Sequence, residues 1–126
     1  MSDYEIIETF PDLLCVGIQH RQPEEKAVAE LLTDEAVRLE REPTNAYDSN
    51  AIKVYHEQTH IGYVKGEQAA WVAPVMDQYP DAQQDCYLTG QQPFGKGRGF
   101  HLGIYAVFFR PREAPIGEVM DQELGA

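Results

Sequence analysis

The sequence predicts a mostly β protein: a small barrel of six short strands with two short helices, in the order β-α-β-β-β-α-β-β. Apolar and polar residues alternate along several short runs, as in Val37-Arg38-Leu39-Glu40, and a period of two marks a strand with one buried face. Ten Gly and eight Pro are spread along the chain, which suits many short elements joined by turns rather than a helical bundle. Closing such strands into a barrel removes unpaired sheet edges. With 126 residues and 43% hydrophobic content, the chain fits one domain with one core.

Residues 1–12 are expected to form an N-terminal extension, 13–110 the barrel, and 111–126 an acidic C-terminal tail. Leu13 to Gln19 reads as the first strand, bounded by Pro11 and by the polar Gln19-His20-Arg21-Gln22-Pro23. Glu24 to Leu32 reads as a short helix. Pro23 suits its first turn, Glu24 and Glu25 suit its positive start, and Val28, Leu31 and Leu32 share a face. Ala36 to Arg41 alternates as a half-buried strand. Ala51 to Tyr55 and His60 to Val64 form a hairpin about Gln58-Thr59. A second helix runs from Glu67 to Met76, with Ala69, Ala70, Val72, Ala73 and Met76 as its apolar face. Trp71 is expected to pack this helix on the barrel, and Pro74 to kink it or split it in two. Asp85 to Thr89 and Leu102 to Phe109 are the last strands, joined by the glycine-rich stretch Gly90 to Gly99.

The formal charge is −11, and it is unevenly spread: residues 1–37 carry −7, residues 111–126 carry −3, and residues 38–110 only −1. An acidic balance argues against a general nucleic-acid-binding surface, but the central part of the chain is not itself repulsive to phosphate. No apolar run approaches the roughly 20 residues of a membrane helix. Met1 to Glu5 is acidic and lacks the basic start of a signal peptide, so a cytoplasmic location is expected. Cys15 and Cys86 sit in apolar strand-like runs without C-x-x-C spacing and read as buried thiols in a reducing compartment. His56 and His60 face each other across the expected hairpin, but no further ligands stand at metal spacing. Neither a metal nor another cofactor is expected. No nucleophile, base and orienting group fall together, and no carboxylates pair for acid–base work, so the chain does not read as an enzyme.

Two segments carry polar chemistry. The turn Thr44 to Asn50 holds Asn45, Asp48 and Asn50 around Tyr47. Asn and Asp side chains brace turns by accepting backbone N–H groups. The same atoms can bind a ligand: the Tyr47 ring as a stacking surface, and the Asp48 carboxylate as an acceptor for a hydroxyl. In Gly95-Lys96-Gly97-Arg98-Gly99 the glycines permit close backbone approach, and Lys96 and Arg98 can reach phosphates. The spacing is not that of a Walker A loop, and a solvated hairpin loop is the alternative.

The succession Arg38 to Val54, then Ile61-Gly62-Tyr63-Val64, then the helix from Glu67 closely resembles the HIRAN domain. That family is a small OB-like barrel module found at the front of Swi/Snf-type DNA translocases and also alone. The resemblance implies capture of the 3′ end of single-stranded DNA, in the setting of DNA repair or replication. It implies a pocket in which Tyr47 and Asp48 hold the terminal nucleotide, Asp48 accepting from the 3′-hydroxyl. Tyr63, Phe100 and His20 are the further stacking residues, and Arg21, Lys96 and Arg98 the phosphate contacts. Gln19-His20 stands where DNA-binding relatives carry Arg-Tyr, and Gly66 stands near a position that is lysine in some relatives. The aromatic half of the pocket is therefore better kept than the cationic half. Three functions stay open: a DNA-end-binding module, an acidic protein-interaction module of the same fold that binds a basic protein partner, and a part of a nuclease or other DNA-processing enzyme whose chemistry another chain supplies.

Overall fold

Six antiparallel strands close on themselves in the computed structural model, which describes residues 3–18, 34–95 and 99–112. They are β1 (Tyr4–Val16), β2 (Ala36–Arg41), β3 (Ile52–His56), β4 (Thr59–Val64), β5 (Gln83–Phe94) and β6 (Gly99–Pro111). One helix, α1 (Gly66–Gln78), follows β4. Around the barrel the order is β1-β4-β3-β2-β5-β6. The helix expected over Glu24 to Leu32 lies outside the described residues, as does the tail beyond Arg112.

Alternation decides which side chains enter the barrel. Val37 and Leu39 of β2, Ile52 and Val54 of β3, and Leu102, Ile104, Ala106 and Phe108 of β6 are all buried. Leu13 and Cys15 of β1, Ile61 and Val64 of β4, and Cys86 and Leu88 of β5 complete this layer. Among the described residues no polar or charged side chain is buried, so the core is purely apolar. Cys15 and Cys86 both lie within it as thiols, and burial pushes the Cys86 thiol up to about 12. The helix caps the barrel through Ala69, Val72 and Ala73.

Several elements differ from the sequence expectation, each for a local reason. β1 begins at Tyr4, so residues 4–12, expected as an extension, pair with β6 from Tyr4↔Pro111 onward. Two bulges, between Ile6 and Glu8 and between Phe10 and Leu13, break the alternation there and absorb Pro11, which lacks an N–H for the ladder. β1 stops before Gln19 because Gly17 turns the chain at φ 81°. The stretch Gly90 to Gly99 is mostly strand: β5 and β6 pair out to Phe94↔Gly99. A bulge at Gly90, with φ 135°, shifts the phase and hides this pairing in the sequence. Pro74 lies inside a single helix. Trp71 is 61% exposed rather than packed on the barrel. At about 100° per residue it points roughly opposite to Ala69.

Two seams of the barrel are short, and side-chain amides extend both. β1 and β4 pair at Cys15↔Val64 and Val16↔Tyr63, and the Lys65 N–H adds a bond to the Leu14 carbonyl at 2.8 Å. Gln68 of α1 accepts the Leu14 N–H at 2.7 Å and donates to the Asp12 carbonyl at 2.9 Å, acting as a further strand residue beside the β1 bulge. β2 and β5 pair at Ala36↔Tyr87 and Val37↔Cys86. Gln84 then accepts the Leu39 N–H at 2.9 Å and donates to the Leu39 carbonyl at 2.7 Å.

At the first seam Gly62 is required by space. A Cβ there would stand 2.5 Å from the Val16 carbonyl oxygen and 2.6 Å from Cys15 Sγ. Gly62→Ala is expected to cost about 1–3 kcal/mol through overpacking. That would appear as a fall in Tm of about 4 °C or more in thermal unfolding. An unchanged Tm would show that β1 and β4 do not approach this closely. At the second seam Gln84→Glu replaces the donor with an oxygen facing the Leu39 carbonyl. The variant should lose about 1–3 kcal/mol at neutral pH. Part of this should return on acidification, when the carboxyl regains a proton to donate. Denaturant titrations of both proteins at neutral and acidic pH read that recovery, and a pH-independent difference would rule out the amide pairing.

Candidate nucleic-acid interface

Two oppositely charged side chains at the end of β2 fix the loop that follows it. Arg41 meets the Asp77 carboxylate of α1 at 2.9 and 3.2 Å. It also donates to the carbonyls of Ala51 at 2.8 Å and Ser49 at 2.9 Å. The guanidinium thus ties the far side of the loop to the helix, using the planar fork that suits it to several acceptors.

Glu42 holds the near side. Its carboxylate accepts from Lys53 Nζ at 2.9 Å, from the Tyr63 hydroxyl at 3.1 Å and from the Asn45 side-chain amide. The Lys53 bond first, then the Asn45 bond, hold the carboxyl at about 2 against the opposing effect of burial. Glu42 in turn raises the Lys53 ammonium above its ordinary value.

Asn45 and Asp48 then shape the turn itself. Asn45 Oδ1 accepts the N–H groups of Tyr47 at 2.9 Å and of Asp48 at 3.0 Å. Asp48 Oδ1 accepts the Asn50 N–H at 2.8 Å. The bracing role of both side chains is therefore present, but it occupies only one Asp48 oxygen. Asp48 Oδ2 faces Gly66, where a Cβ would lie 3.8 Å from it, and among the described residues no donor reaches it. Tyr47, at the crown of this hydrogen-bonded turn, is 98% exposed.

A cleft of about 410 Å³ opens between the turn and the β4–α1 junction. Asn45, Tyr47, Asp48 and Ala51 line it from the turn, Tyr63, Val64 and Gly66 from the junction, and Val16 from β1. Of the site residues read from sequence, the fold brings Tyr47, Asp48 and Tyr63 together. Phe100 is half-buried against the barrel core and does not line this cleft, although it lies on β6 just before Leu102, the partner of Cys15. His20, Arg21, Lys96 and Arg98 lie outside the described residues. Among the described residues no three His, Cys, Asp or Glu side chains cluster, around His56 and His60 or elsewhere.

Sequence reasoning missed Glu42, whose partners stand far along the chain, and it missed Lys65. Lys65 sits beside Gly66, at the start of α1, and adds a positive charge at this end of the barrel. Burial first, and then that charge, keep the His101 imidazole below its ordinary value. The Phe94 ring packs 4.3 Å from the His101 ring.

Residues 13–89 match the family profile described as the HIRAN domain. The chain belongs to the HIRAN family. Over 81 residues, 64% of this chain, it is 38% identical to the helicase-like transcription factor of Mus musculus and 33% identical to that of Homo sapiens. The chain spans only 8% of the length of these relatives. The crystal structure of the HIRAN domain of human HLTF matches with a TM-score of 0.63 at 27% identity, covering 98% of this chain and 92% of that one. A protein from Lactobacillus plantarum matches with a TM-score of 0.65 at 25% identity, covering 85% and 98%. HIRAN membership supports a DNA-binding module in general, and the barrel with its helix agrees with the family fold. No helix among the described residues of this HIRAN domain is long and apolar enough to cross a membrane.

Glu42 makes the site sensitive to acid. Its carboxyl titrates at about 2 in the folded chain against an ordinary 4.5, so the folded state favours the ionised form. That stabilisation is complete above about 4.5 and is lost as pH falls toward about 2. Glu42→Gln should therefore lower Tm at neutral pH, and the gap from the parent protein should narrow as pH drops below 4.5. Tm measured across that range for both proteins is the check, and a constant gap would remove Glu42 as the acid-sensitive group.

Proposed function

We propose that this HIRAN domain is a non-catalytic module that captures the 3′-hydroxyl end of single-stranded DNA in the cleft beside Tyr47. One observation carries the reading. Asp48 commits Oδ1 to its own turn and leaves Oδ2 facing the cleft, next to an aromatic ring that nothing covers. A terminal 3′-hydroxyl donates to such an oxygen, while its base stacks on Tyr47 and its sugar meets Tyr63. Base–aromatic stacking is typically worth about 1–3 kcal/mol, enough for capture with few ionic contacts. Gly66 leaves the space over Asp48 open. Lys65 stands at the start of α1, and Arg21, Lys96 and Arg98 are the further cations that this reading assigns to the DNA backbone.

A second reading rests on the net charge of −11. An acidic module of the same fold would bind a basic protein partner and no oligonucleotide. The same titration separates the two, with a lysine-rich peptide as the competing probe.

The chemistry of the DNA end is the sharpest test. A hydroxyl donating to a carboxylate is worth about 1.5–3 kcal/mol, whereas a 3′-phosphate offers no donor once ionised and adds like charge. The protein should prefer a 3′-hydroxyl oligonucleotide over its 3′-phosphate counterpart by about tenfold or more. Asp48→Asn should shrink that preference, and Tyr47→Ala should weaken both ligands with Tm unchanged, since the ring packs on nothing. Equal affinity of the parent protein for the two ends would sink the 3′-hydroxyl pocket even if DNA still bound.

A further inference from the structure

A path of touching rings leads out of the cleft and over the outer face of the barrel. It starts at Tyr63, which lines the cleft. β4 pairs with β3 at Val54↔Gly62 and then at Tyr55↔His60, leaving Ile61 as an extra residue on β4. In a regular strand residues 60 and 63 would point to opposite faces, but one extra residue brings them to the same side. The His60 and Tyr63 rings accordingly meet edge to face, 4.9 Å apart. The His60 ring also lies 5.3 Å from Tyr55, tilted by 31°. The Arg38 guanidinium stands 4.5 Å over the Tyr55 ring, and Arg38 is the register partner of Tyr55. The path thus crosses β4, β3 and β2 in turn. Beyond it, Ala36 of β2 faces Tyr87, which stacks on Tyr105 at 5.3 Å and 14°.

We propose that a single strand held by its 3′ end in the cleft continues over this path, so that the domain binds about four nucleotides or more, the lower end of barrel site sizes, rather than the terminal pair alone. The inference rests on the end-capture reading. Continuity supports it, because Tyr63 is at once a wall of the cleft and the first ring of the path. Chemistry supports it too. Tyr55 and His60 are half-buried, and the half-exposed Arg38, already stacked over Tyr55, offers the outer face of its flat guanidinium to a base. The cations along the path are already paired, Arg38 with Glu40 at 3.1 Å and Lys53 with Glu42 at 2.9 Å. Stacking, rather than phosphate attraction, is then the source of affinity. A peptide strand is the poorer occupant, since a closed barrel offers no free edge to extend.

The test compares 3′-hydroxyl oligothymidylates, a dinucleotide against an octanucleotide, by fluorescence anisotropy with the whole chain. The octanucleotide should bind about tenfold more tightly, as for one or more added stacked bases. Tyr55→Ala and Arg38→Ala should each remove most of that gain and leave dinucleotide affinity unchanged. Raising the salt should leave the ratio between the two lengths nearly constant. Equal affinity for both lengths, or a gain that survives both substitutions, overturns the path while leaving end capture standing. Failure of both lengths to bind removes end capture and the path together. Should Tyr55→Ala fail to fold, Arg38→Ala on its exposed side chain decides the matter, with unchanged Tm as its control.

Discussion

A barrel is stable only where its ring is closed, and here the ring closes through two seams of two residue pairs each, β1 with β4 and β2 with β5. The core cannot choose the register by itself. It is wholly apolar among the described residues, and hydrophobic burial has no direction. Direction comes from the polar edges of the seams. Gln68 and Gln84 each present an amide that bonds as a backbone unit would, one beside the bulge of β1 and the other at Leu39 of β2. Gly62 permits the close approach at the first seam. A slip of one residue at either seam would leave these groups without partners and turn the core side chains of the slipped strand outward.

The candidate site is built on the first seam. Val16 and Tyr63 are one of its residue pairs, and both line the cleft. The β2–β3 loop is brought to the same place by Arg41 and Glu42, which stand side by side in sequence and reach to opposite sides of the loop. Among the described residues, two basic side chains near the cleft are committed to structure, Arg41 to Asp77 and Lys53 to Glu42. A cleft so arranged offers rings and hydrogen bonds but little surplus positive charge. That agrees with a chain of net charge −11 only if ligand affinity comes mainly from stacking and from one well-placed acceptor.

Much of this was legible in the residues. The alternation of Val37 with Leu39 and of Ile52 with Val54 marked two strands of the barrel, and the Asn45, Tyr47 and Asp48 turn stood out by composition. What the sequence hid lay at phase breaks and at distance. Bulges around Ile7, Pro11 and Gly90 broke the period of two, so the ends of β1 and β5 read as extension and loop. Trp71 is exposed because its angle on α1 turns it away from the buried Ala69. Glu42 looked like one more surface acid. Its meaning depends on Lys53 and Tyr63, which only the β3–β4 hairpin brings beside it. Phe100 is half-buried on the core and does not line the cleft; β6 already begins at Gly99, before the expected Leu102, and this earlier start was hidden in the sequence.

Cys15 sits behind Gly62, sealed inside the β1–β4 seam, while Cys86 lies in β5 next to the other seam. Each seam thus carries its own chemical clock. A thiol reagent reaches Cys15 when β1 parts from β4 or β6, and Cys86 when β5 parts from β2 or β6, so the order in which the two are alkylated records which side of the ring breathes first. A strand end seated against Val16 and Tyr63 would slow the first clock and leave the second running.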